Sequence, residues 1–467
     1  MLRISQLKLP VEHTEAQLKK KLLKTAHIKE QDLKQFFIRK RSVDGRKKPE
    51  LYYVYTVDLI VANEEHVKKI SKGKLQTVQE KNYHIPEHGA KKLRKRPVVI
   101  GSGPAGLFCA YLLAFEGYEP LVIERGAPVR ERQKVVEQFW KDGILNTASN
   151  VQFGEGGAGT FSDGKLNTLV KDKFGRNRFV LETFVKFGAP EEILWESKPH
   201  IGTDILIEVV ERMREEIIRL GGEFLFHSQV TDILPKENCL IVNGCHRIET
   251  DAAVFAVGHS ARDTFQMLFD RNVAMKSKSF AIGVRAEHRQ DMIDEAMYGR
   301  KERGPLGAAA YKLTAQLENG RGVYTFCMCP GGYVVNASSE QGRLAVNGMS
   351  YHDRAGENAN SAVIVTVTKD DYGSDHPLAG MEFQRRLEKK AWEEGGGNVP
   401  IQRFADFCTG TISVKTGNVT PNIKGKYVFG NVRNIFLRNL QNRLNRGFVR
   451  WGKRSKTSIM MTSYFPV

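Results

Sequence analysis

Cysteine is scarce in this 467-residue sequence: there are six, and no two stand in a Cys-x-x-Cys pair. A disulfide scaffold, a zinc ribbon and a thioredoxin-like redox site are therefore not expected. Long apolar runs are also missing, since no stretch approaches the roughly 20 residues of a membrane span, and the N-terminus lacks the apolar core of a signal peptide. With 27% charged residues, the sequence predicts a globular, cytoplasmic protein with no membrane partner.

Acidic residues are missing from the last part of the chain. Residues 407–467 contain 11 Lys and Arg but no Asp or Glu, and residues 1–96 contain 24 Lys and Arg against 11 Asp and Glu. The intervening residues 97–406 are slightly acidic, with 36 basic and 42 acidic side chains. The formal net charge of +18 thus comes from the two ends, which makes nucleic acid a candidate partner of the ends only.

The first 90 residues have the pattern of a small basic α+β domain. Alternating apolar residues predict strands over 2–9, 33–41 and 51–61, and helical spacing predicts helices over 15–23 and around 64–70. This order predicts a ferredoxin-like domain. A polar stretch follows up to the basic run at 91–96, which we interpret as the end of a linker.

The most informative segment begins with the apolar strand at 98–100. It runs into Gly101-x-Gly103-x-x-Gly106 and a helical apolar pattern, and a second apolar strand ends at Glu124. Gly101 permits a tight turn, Gly103 leaves room for a pyrophosphate, and Gly106 lets the helix pack on the strand. The helix N-terminus offers N–H groups to phosphates, and Glu124 is placed for ribose hydroxyls. The pattern predicts a dinucleotide-binding turn, whose remaining contact residues are Ser102, Pro104, Ala105 and Arg125.

This unit, which closes with Ile-Glu-Arg-Gly at 123–126, resembles the FAD-binding half of the glutathione-reductase-like flavoproteins. A glycine-rich loop at 150–166 stands where those flavoproteins place one near the pyrophosphate and the flavin. The resemblance implies FAD as the cofactor. It also implies FAD contacts from this loop and from two later strands with their following turn: Gly156, Gly157, Thr160, Val230, Ala256 and Gly258.

Four further segments make the resemblance more specific: 153–168, 199–204, 258–264 and 326–335. With them the chain is similar to the uncharacterised bacterial FAD-dependent dehydrogenases, over about residues 1–436. That family implies an α/β fold with the basic α+β domain at 1–90, a Rossmann-like FAD-binding domain at 97–269, an inserted α+β substrate domain at 270–406 and a return towards the FAD domain at 407–436. It supplies no substrate.

Six polar residues are candidates for a pocket between the substrate domain and the flavin. A lone histidine or arginine more often has a structural role, so none of them is assigned as a catalytic acid or base. They are His200, His259, Arg262, Arg285, Asn347 and Arg354.

The basic tail at 437–467 does not continue the pattern of the domain. Permissible codons for residues 437–456, read one base out of register, encode an amphipathic helix that starts with proline and acidic residues, which is a better helix than the residues present. We therefore hypothesise a frameshift near Phe436, with a genuine basic tail as the alternative. In the resembled family the missing portion closes over the flavin, so FAD binding by this chain is expected to be impaired.

The sequence thus predicts a FAD-dependent oxidoreductase, a dehydrogenase that transfers hydride through flavin N5. Its small-molecule substrate and its electron donor or acceptor are not identified, and no metal is expected. Two alternatives stay open: a nucleic-acid-associated flavoprotein that binds or acts on RNA through its basic N-terminal domain, and an inactive, truncated flavoprotein.

Overall fold

The computed structural model describes residues 1–168, 170–318 and 320–454. The chain divides into two compact units. One contains residues 1–88, 165–201 and 294–309, and the other contains residues 89–164, 202–293 and 310–467. None of the described helices is both long enough and apolar enough to cross a bilayer.

The N-terminal part of the first unit is one sheet with two helices. Its elements are β1 (Leu2–Pro10), α1 (Glu15–Ala26), β2 (Leu33–Lys47), β3 (Glu50–Val61), α2 (Glu64–Ile70) and β4 (Leu75–Thr77). All strand pairs are antiparallel, and the strand order β2-β3-β1-β4 is ferredoxin-like, as predicted. A capping box between Thr14 and Gln17 begins α1.

The first unit also contains two segments that were predicted to lie elsewhere. Residues 165–201 were predicted in the FAD-binding domain and residues 294–309 in the substrate domain, so those boundaries differ from the units of the structure. Hydrogen bonds explain the difference. The backbone N–H of Arg41 donates to Trp195 O at 2.7 Å, the N–H of Ser197 donates to Arg41 O at 2.9 Å, and the Tyr53 hydroxyl donates to Pro305 O at 3.0 Å.

The part of the second unit that follows the linker contains a parallel sheet. The elements between residues 98 and 270 are β5 (Val98–Ile100), α3 (Pro104–Phe115), β6 (Leu121–Ile123), α4 (Val129–Asp142), α5 (Arg176–Lys186, in the first unit), α6 (Thr203–Arg219), β7 (Glu223–Leu225), β8 (Val230–Leu234), β9 (Cys239–Val242), β10 (His246–Glu249), β11 (Ala253–Phe255) and α7 (Arg262–Asp270). The parallel order β11-β5-β6-β7 is Rossmann-like. The chain leaves β5 towards β6 and returns on its other side at β11, so the end of β5 is the place where such sheets bind ligands.

The rest of the second unit is built around a four-stranded antiparallel sheet. The elements are β12 (Phe280–Arg289), α8 (Gln290–Tyr298, whose residues from Asp294 on belong to the first unit), β13 (Thr314–Gln316), β14 (Gly322–Cys329), β15 (Tyr333–Asn336), β16 (Val346–Met349), β17 (Asn358–Val367), α9 (Lys369–Tyr372), α10 (Ala379–Glu394), β18 (Val399–Ile401), α11 (Phe404–Thr409), β19 (Ile423–Lys424), β20 (Tyr427–Phe429) and α12 (Arg438–Arg454). The sheet has the order β12-β17-β14-β13, and its apolar residues form one cluster with those of α10 and α12.

Helix α12 falls in the tail that was predicted to be aberrant. Leu440 and Leu444 are fully buried, and Arg443 Nη1 lies 3.0 Å from Asp371 Oδ1. The two leucines are four residues apart and so share one face of the helix. The sequence as it stands thus forms a packed helix, while residues 455–467 lie outside the described residues. The frameshift hypothesis concerns the DNA and stays a prediction.

Candidate functional site

The glycine turn after β5 is shaped by close backbone packing. Gly101 has φ +98°, which favours glycine, and a Cβ there would lie 2.6 Å from Ala256 O. A Cβ on Gly106 would lie 1.8 Å from Gly101 O, because α3 packs directly on the turn. A Cβ on Gly103 would meet only Gly157 Cα, at 3.8 Å. Gly101 and Gly106 therefore serve the fold, whereas Gly103 leaves space at the surface of the turn.

The carboxylate of Glu124 joins this turn to the glycine-rich loop. Its Oε2 accepts hydrogen bonds from Ser102 N at 2.9 Å and Ser102 Oγ at 2.8 Å. Its Oε1 accepts from Gly126 N at 2.9 Å and Gly154 N at 3.1 Å. A carboxylate has about four acceptor sites, so protein donors already use them. A ribose hydroxyl can bind Glu124 only by sharing or replacing one of these donors.

The fully buried guanidinium of Arg132 fixes the shape of the glycine-rich loop. Arg132, on α4, donates to five backbone carbonyls of residues 150–157 at 2.7–3.3 Å. Burial lowers the pKa of Arg132 to about 10, against the charges of Glu124 and Glu155, so the group stays cationic at neutral pH. A Cβ on Gly154 would lie 2.5 Å from Arg132 Cδ. The loop thus takes its shape from one side chain that its carbonyls surround.

Another buried side chain of the loop, Glu155, supports the start of α4. Its Oε2 accepts from Val129 N, the first residue of the helix, at 2.7 Å, which satisfies a donor that has no partner within the helix. Burial raises the pKa of Glu155 to about 7, although the Arg214 guanidinium acts in the opposite direction. The helix that carries Arg132 and the loop that Arg132 holds therefore support each other.

A cavity of about 480 Å³, which we call the turn cavity, opens between the glycine turn and this loop. Ten of the predicted cofactor residues line it: Gly101, Gly103, Pro104, Ala105, Glu124, Arg125, Gly157, Val230, Ala256 and Gly258. The other four are not among the residues that line it. Ser102 binds Glu124, Gly106 packs on Gly101, Gly156 N donates to Ser102 O at 2.9 Å, and Thr160 is buried against Gly156.

A second cavity, of about 650 Å³, lies over β12, β14 and β17 and is called here the sheet cavity. Its wall is mainly apolar, with aliphatic and aromatic side chains from these strands, from α10 and from Ile435 and Phe436. Gln152, Ala158 and His259 line both cavities. The two cavities are therefore neighbours that share one wall.

Four of the six predicted pocket residues lie in the wall of the sheet cavity: His259, Arg262, Arg285 and Asn347. The other two do not line this cavity. His200 belongs to the first unit, where its backbone pairs with that of Lys165. Arg354 forms an ion pair with the buried Asp163, which also accepts from Ser350 Oγ at 2.6 Å, so Arg354 fixes a loop.

The charge of Arg262 is balanced within the protein. Its Nη1 lies 2.6 Å from Glu340 Oε2, and its Nη2 lies 2.5 Å from Glu388 Oε1. Burial opposes the charged form, but the hydrogen bonds and charges of Glu388 and Glu340 raise the pKa of Arg262 above its ordinary value. Burial and the Arg262 charge lower the pKa of His259, against the effect of Glu388. His259 is therefore a neutral imidazole at neutral pH.

Sequence reasoning missed Arg132, although the sequence carries a signal for it. The buried positions of α4 are Val129, Arg132, Val136 and Phe139, and this spacing marks the apolar stripe of a helix. An arginine on such a stripe needs buried acceptors. The loop carbonyls are those acceptors.

Three protein-family descriptions match parts of the chain. They are a FAD-dependent protein, C-terminal domain-like, over residues 279–464, a domain of unknown function over residues 1–60 and an NAD(P)-binding Rossmann-like domain over residues 99–129. An uncharacterized protein of Clostridium beijerinckii is 45% identical over 468 aligned positions, which cover 97% of this chain and 86% of that protein. The chain belongs to the same family of FAD-dependent proteins. It is a flavoprotein of the oxidoreductase type, and its cofactor is FAD.

Two solved structures resemble parts of the chain. The FAD-bound form of OTEMO is 16% identical, with 36% of this chain and 26% of that chain covered and a TM-score of 0.22. A 2-methyl-3-hydroxypyridine-5-carboxylic acid oxygenase is 14% identical, with 61% of this chain and 62% of that chain covered and a TM-score of 0.28. The chain thus spans about a quarter of the first and less than two thirds of the second.

The residues around the turn cavity fit FAD. The Cβ of any other residue at position 103 would point into free space, which is the space that a pyrophosphate needs beside bare backbone. The N-terminus of α3, at Pro104, supplies the partial positive charge that favours phosphate. Val230 and Ala256 line the same cavity. The sheet cavity, whose wall is mainly apolar, adjoins the turn cavity.

Proposed function

We propose that the chain is a FAD-dependent dehydrogenase in which hydride passes between FAD and a small organic substrate in the sheet cavity. The observation that supports this proposal is the wall that the sheet cavity shares with the turn cavity, made by Gln152, Ala158 and His259. When bound, FAD supplies an acceptor or donor of two electrons at flavin N5. A molecule in the sheet cavity would lie beside the cofactor, and close, fixed approach of the two reactants is what hydride transfer requires.

The chain's own contribution to the reaction is to hold the substrate and to move one proton. His259 lines both cavities and has a lowered pKa because of burial and the nearby Arg262 charge. Its Nδ1 lies 3.5 Å from Ser260 Oγ, which leaves Nε2 to accept a proton. A neutral imidazole at neutral pH can take that proton from a substrate that is being oxidised.

The finer classification follows from the order of the motifs. Glycine turn, Glu124 and glycine-rich loop come in this order, and the sequence has no second Gly-x-Gly-x-x-Gly after a strand. This order favours a glutathione-reductase-like FAD site without a separate nicotinamide domain, and the absence of a cysteine pair beside the glycine-rich loop disfavours a disulfide reductase.

The proposal is tested by anaerobic reduction of the bound flavin. The FAD-loaded protein is mixed with NADH, NADPH and a panel of organic acids, alcohols and amines, and the loss of oxidised-flavin absorbance is followed. We expect at least one donor to bleach the flavin, and His259→Gln to slow this step about 100-fold. His246→Gln, which changes an exposed histidine on β10, is the matched control and should react like the wild type. A flavin that stays oxidised with every donor contradicts the dehydrogenase assignment.

A further inference from the structure

Arg285 is a buried cation in the wall of the sheet cavity. Its side chain is 4% exposed. Its Nε donates to Asn360 Oδ1 at 2.9 Å, its Nη2 donates to Cys327 O at 2.7 Å, and its Nη1 makes one long contact with Asn347 Oδ1 at 3.4 Å. All of these acceptors are uncharged.

The described part of the chain contains no carboxylate within ion-pair distance of Arg285, in contrast to Arg262 in the same wall, which has two. The acidic residue that follows it on the same face of β12 is Glu287. Its Oε1 accepts from Asn422 N at 2.7 Å and Asn358 Nδ2 at 2.9 Å, and burial raises its pKa to about 7, against these hydrogen bonds and the Arg285 charge. A buried charge without a counter-ion is costly, and Arg285, unlike Arg132, lies in the wall of a cavity, so its position favours an anion from outside the chain.

The backbone around the guanidinium is arranged to keep it in place. The pairing of β14 with β17 is irregular between Phe326 and Cys329, and Cys327 has φ +45°, a strained conformation for a residue with a side chain. In this conformation the Cys327 carbonyl accepts from Arg285. On the other side, a Cβ on Gly348 would lie 2.1 Å from Arg285 Nη2. Strain of this kind is kept where the surroundings require it, and it clusters at ligand sites.

We propose that Arg285, together with Asn347, binds the carboxylate of the substrate, and that the substrate is a carboxylic acid with an apolar body. This inference rests on the proposed function and names the substrate class of the same site. One N–H of Arg285 Nη1 and the amide Nδ2 of Asn347 make no hydrogen bond within the described structure, and both residues line the cavity. Two donors side by side match the two oxygens of a carboxylate.

The other residues in the wall of the sheet cavity indicate the chemical character of the substrate's body and the type of anion. The remaining lining residues are mainly apolar, and they include Ile282, Tyr324, Phe326 and Leu344. A hydrocarbon or aromatic body is buried favourably against such a wall. Among the residues that the structure describes, no lysine lines the cavity, and Arg262 is already balanced, so this lining lacks the donors that a phosphate dianion needs. The geometry therefore favours a carboxylate.

The test compares acids with their uncharged amides. The FAD-loaded protein is titrated with benzoate, cyclohexanecarboxylate and octanoate and with the three corresponding amides, at constant ionic strength, and the flavin difference spectrum and thermal unfolding are recorded. We expect at least one acid to bind 10-fold or more tightly than its amide, and phenylphosphonate to bind less tightly than benzoate. This contrast needs only the wild-type protein.

Substitutions at Arg285 then test whether this residue causes the preference for acids over amides. Arg285→Met should abolish the preference for the acid while FAD affinity stays within about threefold, and Arg285→Lys should retain part of it. The matched control is Arg271→Met, which removes a partly exposed ion pair with Asp232 and should keep the full preference. The inference is overturned if acids and amides bind equally, if phenylphosphonate binds more tightly than every acid, or if the preference survives Arg285→Met.

The two proposals fail in different ways. Thermal unfolding of the FAD-free protein with and without the acids reports on the anion site alone. Stabilisation by acids of a protein whose flavin no donor reduces would support the site and contradict the dehydrogenase. A protein whose flavin is reduced by donors but which binds no acid would support the dehydrogenase and contradict the anion site.

Discussion

The turn cavity and the sheet cavity differ in what builds them. The turn cavity is made mostly of backbone from a few short segments, and three glycines decide its shape: Gly101 and Gly106 through packing and Gly103 through the space it leaves. The sheet cavity is made of side chains that come from residues between Val151 and Phe436. A backbone site can be recognised from local spacing, whereas a site of scattered side chains depends on the complete fold.

The two cavities also treat buried charge differently. Near the turn cavity, Arg132 donates hydrogen bonds to five backbone carbonyls of one loop, so its guanidinium has a structural role. In the sheet cavity, Arg285 has only uncharged partners and one edge towards open space. The first cation thus fixes the shape of a loop, and the second one is the group for which we propose a role in substrate binding.

The largest effect is expected for the loop behind the turn cavity. Arg132→Met removes the guanidinium donor from five loop carbonyls and leaves those of Asn150, Val151 and Glu155 without this partner in a buried position, so we expect it to lower the free energy of unfolding by about 4 kcal/mol or more and to remove FAD binding. The control is Arg130→Met, two residues earlier, where the half-exposed side chain pairs with Glu211 and the cost should be below about 1 kcal/mol. Urea unfolding and FAD titration measure both. Equal costs in the two variants would contradict the role of Arg132.

Substitutions at two glycines of the turn should separate an effect on FAD affinity from an effect on thermal stability. Gly103→Val points into the free space that the pyrophosphate needs, so we expect a loss of FAD affinity of about 100-fold or more with an unchanged melting temperature of the FAD-free protein. Gly106→Ala places its Cβ 1.8 Å from Gly101 O, so we expect that variant to melt at a lower temperature. Thermal melts without and with FAD distinguish the two. A Gly103→Val protein that binds FAD normally would remove the turn as the pyrophosphate site.

The sheet side should show a pH dependence with opposing contributions. Burial raises the pKa of Glu287 to about 7, above its ordinary 4.5, so the folded state holds this proton more tightly and stability falls as the pH rises from about 4.5 to 7. Burial lowers the pKa of His288 to about 4, below its ordinary 6.5, so this contribution rises with pH between about 4 and 6.5. Each amounts to roughly 3 kcal/mol.

Glu287→Gln should therefore gain stability relative to the wild type between pH 5 and pH 8, by about 3 kcal/mol. Urea unfolding at the two pH values measures this, and the same substitution at the exposed Glu318 is the control. If the difference between Glu287→Gln and the wild type is the same at both pH values, Glu287 does not titrate between them.

The smallest effect concerns nucleic acid. The basic residues of the first 96 positions predict weak, sequence-indifferent binding of RNA or DNA to the whole protein, and this binding should fall steeply as salt increases. Fluorescence anisotropy with short labelled RNA and DNA at roughly 50 and 200 mM salt tests this prediction. Tight binding at the higher salt, with a preference for one sequence, would support the nucleic-acid-associated alternative.

The features that could be predicted from the sequence follow the same division between local backbone patterns and side chains from distant parts of the chain. The ferredoxin-like sheet and ten residues that line the turn cavity were predicted because strand alternation and glycine spacing are local signals. The unit boundaries were not, since hydrogen bonds such as Arg41 to Trp195 join residues more than 150 positions apart. His200 and Arg354 were assigned to a pocket from residue type alone, and residue type does not say which way a loop folds. The frameshift near Phe436 is still to be tested by sequencing the source DNA, and an unshifted reading there would remove that hypothesis.

FAD binding at the glycine turn is tested most directly by titrating the purified protein with FAD. The absorption bands of oxidised flavin, at about 375 and 450 nm, are followed after unbound cofactor has been removed. Because the family match and the turn cavity both support FAD as the cofactor, we predict, against the impaired binding expected from the tail, saturation close to one FAD per chain for the wild type and little retained flavin for Gly103→Val. A wild-type protein that retains no flavin, or a Gly103→Val protein that retains as much as the wild type, would contradict the account of the turn cavity as the FAD site.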